Sequence, residues 1–185
     1  MTLEQDPKPP FEAVASVELA RRASIAFRSD RVRWPDGDEA EFRVIESPDS
    51  VFVVPVDQRG GTFLVRQWRH AWASTAWEVP AGTLEPSEDP LAGAQRELVE
   101  EAGLIAEEWK PLGFTRGSAL ITGRQHHFLA RRLSRVQRAP EQYERDMVLR
   151  ELPFEEALEA ALGGFIEHAG TIAALVRAAR ALGKL

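Results

Sequence analysis

The strongest chemical signal in the chain is a group of three carboxylates between Gly82 and Leu104. Glu97, Glu100 and Glu101 stand at positions i, i+3 and i+4, so a helix places them on one face. At about 100° per residue, Leu91, Ala94, Leu98 and Ala102 gather on another face. Such a helix packs one side on a core and concentrates negative charge on the other. Like charges at this spacing repel. A divalent cation relieves that repulsion, and an all-oxygen ligand set suits Mg²⁺ or Mn²⁺. Read from the residues alone, the competing account is an amphipathic helix with a solvated acidic face.

The flanks predict where that helix begins and ends. Ser87 is the expected N-cap, Glu88 and Asp89 favour the positive helix start, and Pro90 suits the first turn. Gly103 is the expected C-terminal stop. Upstream, Pro80-Ala81-Gly82 allows the backbone to approach whatever sits beside the carboxylates. Gly93, one turn before Glu97, keeps that surface low.

Around this stretch the chain reads as one α/β domain with a smaller β-rich leader. Its 185 residues are enough for a real core. A formal charge of −6 offers no broad basic field for nucleic acid, and no apolar stretch approaches the roughly 20 residues of a membrane span. The absence of cysteine excludes disulfides and thiolate metal sites and accords with a cytoplasmic location. The first residues carry no basic-then-apolar pattern of a signal peptide.

Residues 1–10 read as a loose tail. Residues 11–47 read as a small antiparallel sheet built from short runs, Ala13–Leu19, Ser24–Phe27, Arg31–Trp34 and Ala40–Glu46, with a turn at Pro35–Asp38. Residues 48–185 read as the main domain. Val51–Val56 is a continuous apolar run suited to a central strand, followed by a hairpin through Gln58–Gly61 to Thr62–Trp68. Trp77–Val79, Leu112–Phe114, His126–Ala130 and Met147–Leu152 are further strand candidates. Helices are expected from Pro153 to Gly163 and over about residues 171–182, where apolar residues follow the 3.6-residue period. Strands and helices so interleaved predict an α/β/α sandwich around a mixed sheet.

Gly82, Glu88 and the run Arg96-Glu97-Leu98-Val99-Glu100-Glu101-Ala102-Gly103-Leu104 together resemble the complete signature of the Nudix hydrolases. The resemblance implies the same sandwich fold and a pyrophosphate substrate. Glu97, Glu101 and the Ala81 carbonyl are then metal ligands, Glu100 a direct or water-bridged one, for two or three Mg²⁺ or Mn²⁺ ions. Arg96 and Glu88 become a supporting pair that orients them beside Gly82. A metal-activated water would attack phosphorus, with Glu100 and Glu101 at the reacting centre. The general base is sought in the acidic stretch Glu141–Asp146, with Glu144 first, then Glu141, then Asp146.

Further elements resemble the ADP-ribose and nucleotide-sugar pyrophosphatases of that family. Arg66-Gln67-Trp68-Arg69 is similar to their Q-Y-R element, Trp77-Glu78-Val79-Pro80-Ala81-Gly82 to their E-L-P-A-G, and Gly164–Thr171 to a G-x-I-x-D-x-x-T tail with His168 at the Asp position. Arg66 and Arg69 are three apart on a strand, so one of them faces the site, and Arg69 is preferred as a phosphate or ribose grip. Glu78 is expected to accept a hydrogen bond from an amino group or sugar hydroxyl. Trp68 and Trp77 are either stacking faces or core. His126 and His127, adjacent on a strand, point to opposite faces and do not share a metal.

One departure stands out. The family's Ser-Pro-Gly segment aligns with Arg116–Gly123, which has no proline. ADP-ribose and other nucleoside diphosphate sugars therefore both stay open as substrates. Dinucleoside polyphosphates, capped RNA, coenzyme A derivatives and a non-catalytic nucleotide-binding module are the alternatives. The resemblance also implies a homodimer completed by the N-terminal sheets.

Overall fold

The computed structural model describes residues 8–138 and 146–185. The base candidates Glu144 and Glu141 lie outside the described residues. The chain forms two compact units, one comprising the residues before Pro48 together with Ser118–Thr122, the other Pro48–Gly117 and Gly123–Leu185. Sequence reasoning assigned 118–122 to the larger unit.

The smaller unit is a meander of β1 (Glu12–Arg22), β2 (Ile25–Arg33) and β3 (Glu39–Glu46), all antiparallel. Two long strands replace the three short runs expected before Pro35. The runs Ser24–Phe27 and Arg31–Trp34 are parts of one strand, β2, joined through the polar Arg28-Ser29-Asp30, which carries no apolar alternation; β1 has register shifts at Ala13/Ala15 and Glu18/Ala20. The Pro35–Asp38 turn forms as expected, with Trp34 N donating to Asp38 O at 2.9 Å. Ser118–Thr122 joins this unit through a parallel bridge between Ile45 and Ile121. Val17, Leu19 and Ile25 remain exposed.

The larger unit is built on a seven-stranded mixed sheet. Its path runs β10 (Val148–Pro153), β5 (Gly61–Arg69), β4 (Ser50–Val56), β9 (Arg124–Arg135), β8 (Leu104–Arg116), with β6 (Ser74–Glu78) on β5 and β7 (Ala81–Thr83) on β4. The β4–β9 pair is parallel and the rest antiparallel. Helix α1 (Pro90–Glu97) covers one face, where Val51 and Val53 meet Ala94, Leu98 and Ala102. Helices α2 (Phe154–Leu162) and α3 (Ala169–Ala181) cover the other, where Phe52, Val54 and Val56 meet Phe154, Leu158 and Leu175. Alternate residues of β4 thus feed two cores, which is why its apolar run is continuous. The α/β/α sandwich read from the sequence is the fold observed.

One irregularity in this sheet creates the site. β4 and β5 leave the Gln58–Gly61 turn as a hairpin but pair only at Val56 and Thr62. Beyond that point they part, and the freed edge of β4 is taken by the chain after β6. Val53 N donates to Pro80 O at 2.8 Å, and Ser50, Val51 and Phe52 pair with Thr83, Gly82 and Ala81. The Pro-Ala-Gly segment is therefore held in the sheet, as the short strand β7 that sequence reasoning missed.

Candidate active site

The acidic helix starts two residues later than predicted. Asp89, not Ser87, is the N-cap, its carboxylate accepting from Leu91 N at 2.9 Å and Ala92 N at 3.3 Å. Ser87 sits in the preceding turn with φ +66°. After Glu97 the helix widens into a π-helical turn, Leu98–Ala102, which Gly103 closes in the left-handed conformation by donating to Leu98 O and Val99 O. Gly103 is thus the stop that was expected. A π turn inside a helix is a frequent mark of a functional site. Here it leaves Leu98 and Ala102 in the core while Glu97 and Glu101 are also buried, at 5% and 1% exposure. Leu91, expected on the core face, is 36% exposed because it lies in the first turn.

Buried carboxylates need partners. Glu101 Oε2 accepts from Ala81 N at 2.8 Å, tying the helix to β7. Arg96 supplies the rest. Its Nη1 donates to Glu97 Oε1 at 2.7 Å and Glu100 Oε2 at 3.0 Å, its Nε to Glu88 Oε1 at 3.0 Å, and its Nη2 to Glu88 Oε2 at 3.0 Å and Thr83 O at 3.1 Å. The Glu88 hydrogen bonds, with the carboxylates of Glu97 and Glu100, raise the Arg96 pKa above its ordinary value. The same pair, helped by Glu85 N at 2.9 Å, holds Glu88 below the usual carboxylate range.

Gly82 is where β7 meets this cluster. A Cβ there would lie 1.9 Å from Glu97 Oε1 and 2.2 Å from its Cδ, so only glycine admits the carboxylate. Gly93 has a different task from the one expected. It makes room for Leu84, whose Cδ2 would be 2.3 Å from a Cβ, and so seats the helix on the core.

A cleft of about 260 Å³ opens over these groups, lined by Arg69, Gly82, Arg96, Glu97 and Glu101 among others. Ala81, Thr83, Gln67 and Glu85 complete it. Gln67 and Arg69 share one face of β5 and Arg66 and Trp68 the other. Neither of the latter pair lines the cleft: Arg66 lies over the Trp77 ring at 5.8 Å, and Trp68 is 49% exposed. Trp77 packs against the core.

Glu78 is fully buried, and its carboxylate is already engaged. Arg69 grips it with two hydrogen bonds, Nε to Oε1 at 2.6 Å and Nη2 to Oε2 at 2.5 Å, and His168 Nδ1 lies 2.8 Å from Oε2. Burial pushes its pKa up, but the hydrogen bonds from Arg69 and His168 outweigh this and hold it low. Glu78 is thus placed to fix Arg69 rather than to meet a ligand. His168, at the aspartate position of the tail, takes part in this anchor; its ring also meets Trp72, which sequence reasoning missed.

The two strand histidines diverge as expected. His126 Nε2 pairs with Asp49 Oδ2 at 2.8 Å, whereas His127 is buried against Thr115 and pushed down to about 4, chiefly by burial and then by Arg177. Asp146 is exposed and does not line the cleft.

The donors over the cleft suit a hard divalent cation. They are carboxylate oxygens at a glycine-cleared surface, and Glu97 and Glu101 carry buried charge that a cation compensates. Among the described residues, no three acidic or histidine side chains stand together as a closed cage. Arg96 occupies that role between Glu97 and Glu100.

Comparisons with known proteins agree with this geometry. The NUDIX domain family matches residues 46–175. An ADP-ribose pyrophosphatase of Mycobacterium tuberculosis is 34% identical over 175 residues, 90% of this chain and 82% of that protein. One of Bacillus subtilis is 32% identical over 150 residues, 80% of this chain and 81% of that protein. A crystal structure of an ADP compounds hydrolase superposes with a TM-score of 0.82 at 16% identity, covering 98% of this chain and 100% of that one, and so shares the fold.

Two outcomes follow from the packing. Gly82→Ala displaces the Glu97 carboxylate, and Mn²⁺ affinity measured by calorimetry is expected to fall roughly 10–100-fold; wild-type affinity in that variant would contradict the close approach. The lowered pKa of Glu78 means that its ion pairing stabilises the fold above its ordinary value of 4.5 and that this contribution is lost as pH falls through the folded-state value. Glu78→Gln is therefore less stable than wild type at pH 7, with the gap in Tm narrowing below about pH 4.5. A gap that stays constant down to pH 3 would contradict that account.

Proposed function

The chain belongs to the Nudix hydrolase family, and from this premise we propose that it hydrolyses the pyrophosphate bond of ADP-ribose or a related nucleoside diphosphate sugar. The products are a nucleoside monophosphate and a sugar phosphate. The observation that carries the reading is a single cleft lined by Glu97, Glu101 and Arg69 together. Relatives named ADP-ribose pyrophosphatase support the substrate class. The missing proline in Arg116–Gly123 keeps other nucleoside diphosphate sugars in view.

Glu97, Glu100, Glu101 and the Ala81 backbone are the proposed holders of Mg²⁺ or Mn²⁺, in the two or three ions the family resemblance implies. Such ions, when bound, neutralise pyrophosphate charge and lower the pKa of a water. The chain's own residues do the positioning. Arg96 fixes the rotamers of Glu97 and Glu100, and Glu88 fixes Arg96. Ala81 N orients Glu101. Arg69, braced by Glu78 and lining the cleft, is the proposed grip on a phosphate oxygen. Water adds to one phosphorus, the bridging P–O bond breaks, and the other phosphate leaves. Glu144 remains the first candidate for the base, at a position outside the described residues.

We further propose a homodimer formed through the N-terminal sheet. Val17, Leu19, Ile25 and Phe27 are exposed there, an apolar surface suited to a second copy. Cysteine-free composition accords with a cytoplasmic setting.

Two experiments test these readings. With Mg²⁺, the protein is expected to convert ADP-ribose to AMP and ribose 5-phosphate, with oxygen-18 from water in one product. Glu101→Gln keeps an oxygen for Ala81 N but lowers kcat by on the order of 100-fold or more. Intact ADP-ribose and intact nucleotide sugars after incubation with either metal would sink the assignment. For the assembly, light scattering at micromolar concentration should give twice the 20.6 kDa chain mass; a monomer contradicts it.

A further inference from the structure

The arginine offered to a phosphate is itself held. Two hydrogen bonds tie Arg69 to Glu78, which has no solvent exposure, so water is not at hand to replace a partner the carboxylate loses. Glu78 Oε2 serves two donors at once, Arg69 Nη2 at 2.5 Å and His168 Nδ1 at 2.8 Å. Burial works against the charge on Glu78, and the hydrogen bonds from Arg69 and His168 outweigh it. The carboxylate therefore only accepts, and the ring proton of His168 sits on Nδ1.

The surroundings keep that donor still. The His168 ring stands 5.3 Å from Phe52 and 5.5 Å from Trp72. Gly170 admits Phe52 to the first turn of α3, since a Cβ there would lie 2.6 Å from its ring carbons. Fully buried Thr171 accepts from Val79 N at 3.3 Å and so ties the start of α3 to the residue after Glu78. Donor and acceptor are thus mounted on segments fastened to each other. His168 is also the N-cap residue of α3, yet it makes no side-chain bond to the helix. A place that usually goes to a short polar acceptor is given to a donor that faces Glu78.

We propose that His168 is a positioning residue for the hydrolysis: by donating to Glu78 Oε2 it fixes the plane of the carboxylate, and through that plane the direction in which Arg69 meets a phosphate. The proposal rests on the hydrolase reading and adds to it a residue that sets substrate affinity from outside the acidic cleft. His168 does not line that cleft, whereas Arg69 lines both it and the adjoining cavity of about 440 Å³ in which His168 is part of the wall. Without the imidazole, Oε2 keeps a single donor in a buried place. Arg69, already bound there, turns inward to cover the exposed lone pair. A guanidinium withdrawn in this way binds the phosphate less well in ground state and transition state alike, so KM rises while kcat is kept.

A double-mutant cycle on the full chain tests this. It is read in KM and kcat for ADP-ribose and, without turnover, in calorimetric affinity for a methylene-bridged analogue that cannot be cleaved. His168→Ala is expected to raise KM and weaken analogue binding about tenfold, with kcat within about twofold of wild type. In a Glu78→Gln background the same substitution should add less than about twofold, because the group it acts through is already changed. His168→Asp, assayed well above the carboxylate range, removes the donor but can cap α3. It should keep the wild-type Tm and lose affinity as His168→Ala does. Equal factors in the two backgrounds overturn the proposal, since His168 would then act independently of Glu78. Wild-type affinity in His168→Asp, or a fall in kcat with KM unchanged, overturns it as well. Tight analogue binding with no cleavage of ADP-ribose removes the hydrolase reading alone, and additive losses with cleavage intact remove the role of His168 alone.

Discussion

One guanidinium holds the candidate site together. Arg96 has five N–H donors, and the five acceptors it meets are the two oxygens of Glu88, one each of Glu97 and Glu100, and the Thr83 carbonyl. Those acceptors come from the loop before α1, from the helix and its π turn, and from β7. A helix bearing Glu97, Glu100 and Glu101 so close together would otherwise be pushed apart by like charge. With Arg96 saturated, the same charges become the glue between helix and sheet, and Glu101 adds a second tie through Ala81 N. Removing this cation leaves buried carboxylates without compensation, which is far worse than never having had them.

A second buried pair repeats the logic at the other side of the cleft. Glu78 has no solvent exposure, yet carries a bidentate arginine and a histidine. Its low pKa despite burial means that the carboxylate stays charged and keeps Arg69 in register. Both pairs lie beside the place where β4 and β5 separate and β7 fills the gap. The sheet defect and the buried charge are thus two parts of one arrangement. The defect brings backbone amides and a glycine to the surface, and the charge occupies the space they leave.

Much of this could be read from sequence because the physical demands were local. The acidic spacing, the stop at Gly103 and the need for Gly82 follow from helix geometry and from close approach of two chain segments. The alternation of β5 put Arg66 and Arg69 on opposite faces, and the preferred Arg69 is the one that lines the cleft. Long-range demands were not legible. Asp89 outcompetes Ser87 as cap because Glu85, Glu88 and Arg96 fix the preceding turn. The π turn has no signature in residue types alone. β8 runs from Leu104 to Arg116, but only Leu112–Phe114 was expected, since Pro111 and a register shift before Phe114 hide its period. Glu78 looked like a ligand group because nothing local announces that Arg69 and His168, the latter 90 residues on, converge on it.

The replacement of an acid by His168 in the tail motif shows how such convergence constrains chemistry. An aspartate beside Glu78 would set two carboxylates against each other in a buried place, and one of them would need a proton or a further cation. An imidazole instead offers Nδ1 to Glu78 and a flat ring to Phe52 and Trp72. The substitution therefore puts an aromatic ring where the tail motif has a carboxylate, and its Nδ1 joins Arg69 in holding Glu78. In this chain the brace behind Glu78 and Arg69 and the aromatic contact with Phe52 and Trp72 are supplied by the same side chain.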